Sequence, residues 1–262
     1  MNVFKHPLNG TLSLYFKQRV KQGVKLGAKL GAASILSLSL VACFHGEDDS
    51  DDMPIEATYK VTVSNLTNGQ PMTPVAVVIH KAGYHGWTLG SAASTGLEKL
   101  AEGGATTDFI SEAAANMYVM STDVAGSAPF GPGGTATVNV KANYNSGLKM
   151  SVASMLANTN DAFTGLDAVD IGSLAAGESM TMMSHVFDAG TEADTESAGT
   201  LAGPADDSTS ADKAYLAARD DSHDFVTIHP GVVTKDDGLS TSVLNESHRW
   251  NGVAAKIVIE RL

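Results

Sequence analysis

Apolar and polar residues alternate from Tyr59 to Leu66, with Tyr59, Val61 and Val63 on one side and Lys60, Thr62 and Ser64 on the other. That period of two is the pattern of a half-buried strand. Thr67-Asn68-Gly69-Gln70-Pro71 then supplies a turn. Val75-Ala76-Val77-Val78-Ile79 is a continuous apolar, largely β-branched run, as in a strand covered on both faces or central to a sandwich. Alternation returns at Gly134–Lys141 and at Leu148–Met155, with the turn-rich Asn143-Tyr144-Asn145-Ser146-Gly147 between them, so this pair reads as a hairpin. Met180–Val186 reads as a further strand, and Ala254–Glu260 closes the chain as another.

Helical patterns are short. Ala92–Ala101 and Thr107–Met117 each lie near a Gly-rich stop and are too brief for an α/β alternation. Asp188–Asp224 is small, acidic and aperiodic, and reads as a long, partly mobile surface excursion. Strand after strand with Gly- and Asn-rich turns and minor helices predicts a mainly β protein, an antiparallel β-sandwich carrying a long acidic loop.

The N-terminal segment follows different rules. Residues 1–42 carry Lys5, Lys17, Arg19, Lys21, Lys25 and Lys29 with no acid, and end in the apolar run Leu30–Ala42. A charged region, a short apolar region and small residues before a cut describe a secretory signal peptide. Thirteen residues at a rise of ~1.5 Å each do not cross ~30 Å of hydrocarbon, so a permanent transmembrane helix is the weaker reading. The single cysteine follows at once, in Leu40-Val41-Ala42-Cys43. This resembles the lipobox of bacterial lipoproteins, in which the thiol is diacylated and becomes the new N-terminus. A lone secreted cysteine has no intrachain partner, so an ordinary signal peptide leaves Cys43 a free thiol, whereas lipidation gives it a role. Phe44 stands where an acid would mark inner-membrane retention in that family, which implies an outer-membrane lipoprotein of the cell envelope, facing the periplasm or the exterior. Residues 43–56 include Glu47-Asp48-Asp49-Ser50-Asp51-Asp52 and read as an acidic tether. The folded domain then spans residues 57–262.

Charge narrows the partners. The chain carries a formal net charge of −12, and losing the six basic residues of the leader takes it to −18. Nucleic acid is excluded as a partner class, because duplex binding needs a basic face. No disulfide is available, and many carboxylates with no disulfide suit a Ca²⁺ ion, which takes about six to eight oxygen ligands. The alternative is that the acids serve only solubility.

Two carboxylate clusters follow predicted strands: Asn158-Thr159-Asn160-Asp161-Ala162-Phe163-Thr164-Gly165-Leu166-Asp167, and Phe187-Asp188-Ala189-Gly190-Thr191-Glu192-Ala193-Asp194. The spacing Asp-Ala-Gly-Thr-Glu sets two acids on either side of a glycine turn, so both can reach one site, although ordinary turn and surface roles fit the spacing equally. The stretches Ser154–Asp167 and Asp188–Glu192, with weaker matches at Leu97–Gly104 and Trp250–Ile257, resemble the spondin domain in the form found in bacterial secreted proteins. The resemblance covers about Thr58–Leu262. It implies a C2-type β-sandwich that binds Ca²⁺ at loops on one end through Asp161, Asp188 and Glu192. Glu192 is a methylene longer than the Asp usual in animal members, whose cysteines are also absent here.

Rival chemistries are less well supplied. His80, His85, His223, His229 and His248 offer imidazoles for Zn²⁺ or Cu²⁺ but no tight paired spacing, and hydrogen-bonding roles suit them as well. No GxSxG elbow, P-loop or dinucleotide fingerprint occurs, and a triad of Ser154, Asp161 and His185 has only composition behind it. The residues read as a lipid-anchored, non-enzymatic Ca²⁺-binding or adhesion module for an extracellular matrix, polysaccharide or protein ligand, held at a membrane through Cys43. A hydrolase acting on an extracellular polymer, or a structural envelope protein with a stabilising metal, are the alternatives.

Overall fold

The computed structural model describes residues 55–218 and 223–262. Cys43, the leader and nearly all of the tether lie outside the described residues. Among the described residues no helix is long and apolar enough to cross a membrane.

Among the described residues nine strands and two α-helices follow in chain order: β1 (Glu56–Asn65), β2 (Val75–His80), α1 (Thr95–Gly103), α2 (Thr106–Ala114), β3 (Val119–Ala125), β4 (Thr135–Asn143), β5 (Lys149–Met155), β6 (Ala162–Asp170), β7 (Ser179–Asp188), β8 (Thr227–Ile228) and β9 (Val253–Arg261). All their pairings are antiparallel. The order across the sheet is β3-β2-β5-β6-β7-β9-β1-β4, with β8 beside β7. The expected mainly β, antiparallel architecture with short helices and a long acidic loop is therefore the observed one.

Strand β7 joins the two halves. Its first part, Ser179–His185, pairs with β9, and its last part, Val186–Asp188, pairs with β6. The change of partner coincides with a register shift at Ser184/His185, as where sandwich strands switch sheets. Ser184 holds this point from a buried position: its Oγ donates to the Gly165 carbonyl at 2.6 Å and accepts from the Gly165 N–H at 2.8 Å. Gly165 admits no side chain there, because a Cβ would stand 1.8 Å from the Val152 carbonyl oxygen.

The main core lies between the halves. Tyr59, Val61 and Val63 of β1 face Val77 and Ile79 of β2, Met150 and Val152 of β5, and Ile257 and Ile259 of β9. The other face of β2, Ala76 and Val78, packs with Leu97 and Leu100 of α1 and Phe109 of α2. This explains the unbroken apolar run of β2, since both of its faces are covered. Each such fully buried side chain contributes about 1.5–3 kcal/mol of transfer free energy. Helix α1 starts on Ser94, whose side chain accepts from Leu97 N, and stops at Gly104 with φ +71°.

Three expectations change. β4 and β5 do not form a hairpin: β4 pairs with β1, and β5 pairs with β2 and β6. Residues 144–148 instead carry the chain from one half to the other, which fits an alternating edge strand β4 followed by a fully covered β5. The stretch after Asp161 is not loop but strand β6, whose first five residues are all buried and so show no alternation. The acidic loop after β7 is anchored: Ala189, Thr191, Glu192, Glu196, Leu201 and Asp206 are buried, and Leu201 packs with Val232 and Leu244 in a small core of its own.

Candidate metal centre

Strand register builds the site. Ala162 at the start of β6 stands opposite Asp188 at the end of β7, so Asp161 is delivered to the turn that follows β7. The Asp161 carbonyl accepts from Ala189 N at 3.2 Å. Asp188 Oδ1 then accepts from Gly190 N at 2.7 Å, an Asx turn. Gly190 has φ +77°, and a Cβ on it would lie 2.3 Å from the Phe225 carbonyl oxygen, so the Asp-Ala-Gly spacing is a steric requirement. This turn aims two N–H groups at Asp161 Oδ2, from Thr191 at 2.8 Å and Glu192 at 3.0 Å. Helix α1 braces the turn, with Thr191 Oγ1 donating to buried Glu102 at 2.9 Å. On the other edge β8 pairs with Phe187 and Asp188, and His229 N donates to the Val186 carbonyl at 3.0 Å. That pairing brings His229 against the acids.

Asp188, Asp194 and His229 each offer one ligand atom, and these atoms lie within 4.8 Å of one another. The His229 ring is fully buried, with Nε2 3.4 Å from Asp194 Oδ1 but without hydrogen-bond alignment. Asp161 is fully buried as well, and its Oδ1 has no partner. Burial first, then the charge of Asp188, pushes the Asp161 carboxyl up to about 8 against the pull of the Thr191 N–H. Burial and Asp194 also raise Asp188. Nearby Glu196 is pushed up to about 7, chiefly by burial; its Oε1 accepts from Val233 N while Oε2 is buried and unpartnered. A buried carboxylate oxygen without a donor costs about 1–3 kcal/mol or more. A proton or a hard cation relieves that cost, and oxygen donors of this kind fit Ca²⁺.

Of the residues expected at a calcium site, Asp161 and Asp188 are neighbours coupled by charge. Glu192 contributes its backbone N–H to Asp161, while its carboxylate accepts from Asn160 Nδ2 at 3.3 Å. Asp161 and Glu192 both lie outside the 4.8 Å group. Asn158 and Asn160 are buried organisers of the same loops. Asn158 Oδ1 accepts from Ala205 N, and Asn160 Oδ1 accepts from Glu196 N. The rival reading of a histidine metal site finds these rings apart: His80 and His85 sit near Asp167, and His248 Nδ1 bonds Asn245. Asp194 closes the second acidic stretch and His229 belongs to a set of histidines with no tight paired spacing, so the sequence points to neither.

The Spondin_N family model matches residues 66–220. The chain belongs to the Spondin_N family. No curated protein matches the chain. Within this Spondin_N chain the match runs from the end of β1 through the acidic loop, so it includes Asp161, Asp188, Glu192 and Asp194 and stops short of His229.

The Spondin_N fold leaves a cleft of about 720 Å³ over the acids, lined by Asp188, Gly190, Asp194, Phe225, Ile228 and Pro230 among others. A second carboxylate centre sits further along β6. Asp167 Oδ1 accepts from Gly86 N at 2.7 Å and Ser151 Oγ at 2.8 Å, and its Oδ2 is 2.6 Å from His85 Nδ1. Ser151 Oγ also stands 3.0 Å from Nε2 of buried His80. Both oxygens of Asp167 are thus engaged.

Proposed function

We propose that this protein is a Ca²⁺-binding module of the cell envelope, anchored to a membrane by lipidated Cys43, that binds a polysaccharide or protein outside it. The observation that carries the calcium reading is the unpartnered, fully buried Oδ1 of Asp161 beside carboxylates that open on a cleft. Asp161 and Asp188 hold the ion, on a loop that the Glu192 N–H fastens to Asp161. A binding role is favoured over polymer hydrolysis because aromatic residues make up only 6% of the chain, with two Trp, few for a sugar-stacking cleft. The anchor rests on Leu40-Val41-Ala42-Cys43 after a basic leader. Several acyl chains on one residue, at ~0.8 kcal/mol per buried CH₂, hold a protein at a bilayer.

Calorimetry of the purified protein in chelator and in excess Ca²⁺ tests the ion. At a hundred times Kd the fold gains about 2.7 kcal/mol, and Asp188→Asn diminishes the gain. Identical melting curves remove calcium from this account. For the anchor, Cys43→Ser moves the protein from the membrane to the soluble fraction with loss of acyl mass; retention at the membrane refutes lipidation.

A further inference from the structure

The calcium reading leaves His229 without a role, although its ring is fully buried and Nε2 is unpartnered beside two acids. An imidazole in such a group ordinarily signals a transition metal. The other ring nitrogen decides otherwise here. Gly231 N lies 2.9 Å from His229 Nδ1 and donates to it. A backbone amide always carries its hydrogen, so Nδ1 presents a lone pair, and the proton of the neutral ring sits on Nε2. A metal on Nε2 needs the opposite tautomer, with an N–H on Nδ1 facing the Gly231 N–H. The orientation is fixed from further sides. Pro230 restricts the backbone of His229, the His229 N–H is tied to Val186, and Trp250 meets the ring edge-on at 5.1 Å between centroids.

We propose that Asp194 is a cation ligand and that His229 is not one: His229 is a positioning residue whose Nε2–H faces Asp194 Oδ1 and keeps the donor set all-oxygen. The Nε2–H lies 3.4 Å from Asp194 Oδ1. Asp188 and Asp194, whose ligand atoms lie within 4.8 Å of each other, form an all-oxygen pair that selects a hard cation such as Ca²⁺ and gives Zn²⁺ no nitrogen. This inference rests on the calcium reading, and the two fail differently.

The test combines titration calorimetry with long-range ¹H–¹⁵N spectra of the histidine rings in the purified protein. In the spectra, His229 shows unprotonated Nδ1 and protonated Nε2 both in chelator and in Ca²⁺. An unprotonated Nε2, or a Zn²⁺ shift of Nε2 that competes with Ca²⁺, overturns the positioning role. In titrations, Asp194→Asn weakens Ca²⁺ binding tenfold or more, by analogy with the ~10–100-fold lost on removing supporting groups at metal sites. His229→Leu weakens it about tenfold, and His229→Gln, which keeps a side-chain N–H, recovers most of that. Unchanged Ca²⁺ affinity in Asp194→Asn refutes this inference while the calcium reading stands. No Ca²⁺ binding by the wild type refutes both.

Discussion

Asp161 and Asp167 lie six residues apart, one just before β6 and the other within it; His85 bonds Asp167, and the charge of His229 acts on Asp161. Asp167 is finished by the protein, since Gly86 N, Ser151 Oγ and His85 Nδ1 occupy both of its oxygens. Asp161 is half finished: backbone donors hold Oδ2, and Oδ1 is buried with nothing to receive. The neighbours differ in the same sense. Asp167 faces donors, whereas Asp161 faces Asp188 and Asp194, whose charges raise it further. A carboxylate whose acceptors are all used is a brace, and one left unsatisfied among other acids is a socket for a cation.

The largest effect expected from this contrast is on the brace. Asp167→Ala leaves the Gly86 N–H and the Ser151 hydroxyl without their acceptor, at a cost of about 2–4 kcal/mol. For a domain of this size that lowers the melting temperature by on the order of ten degrees. The loss should be equal in chelator and in Ca²⁺. Calorimetry showing an Asp167→Ala loss confined to the Ca²⁺ form would merge the two centres into one.

Acidity separates them next. The folded state holds Asp161 up to about 8, from 3.8, and raises Asp188 and Glu196 too. Between those values the unfolded chain has released its proton while the native site retains it, so the native state binds more protons and stability falls as pH rises. In chelator, the melting temperature therefore declines from pH 5 to pH 8. Saturating Ca²⁺ favours the ionised carboxylates and flattens or reverses that slope. A chelator profile that rises over this range contradicts an unsatisfied acid at Asp161.

The sequence carried the two aspartates to different depths. Alternation revealed β1, β4 and β9, and an apolar run revealed β2, because one or both faces of those strands meet the core. It fails for β6, where burial on both faces and Gly165 erase the period that would mark Asp167 as a strand residue. The pairing of β4 with β1 was invisible because the intervening turn residues fit a hairpin equally well. Resemblance singled out Asp161 and Asp188, but spacing alone did not, since their meeting depends on Ala162 lying opposite Asp188. His229 and Asp194 were beyond reach for a similar reason. The two-residue strand β8 returns His229 from the far end of the acidic loop, and no local period encodes so short a pairing.

The smallest expected effect is also the sharpest division between brace and socket. Asp161→Asn keeps the shape and a carbonyl oxygen for the Thr191 and Glu192 N–H groups, so the two anchoring bonds persist. Its amide nitrogen takes the place of the unpartnered Oδ1 and turns donors toward the acids, where the ionised carboxylate, present above about pH 8, is an unsatisfied acceptor repelled by them. In chelator this variant should melt at the wild-type temperature or slightly above it, a gain of about 1 kcal/mol at most. Its Ca²⁺ response should be lost, because an amide nitrogen is no ligand for a hard cation. Asp161→Ala isolates the anchoring bonds, since it strands the same two N–H groups and costs about 1–3 kcal/mol in chelator. Melting curves for both variants, with and without Ca²⁺, decide the matter. An Asp161→Asn protein that is as unstable in chelator as Asp161→Ala would mean that the charge itself is wanted in the absence of an ion, and that Asp161 is a brace like Asp167.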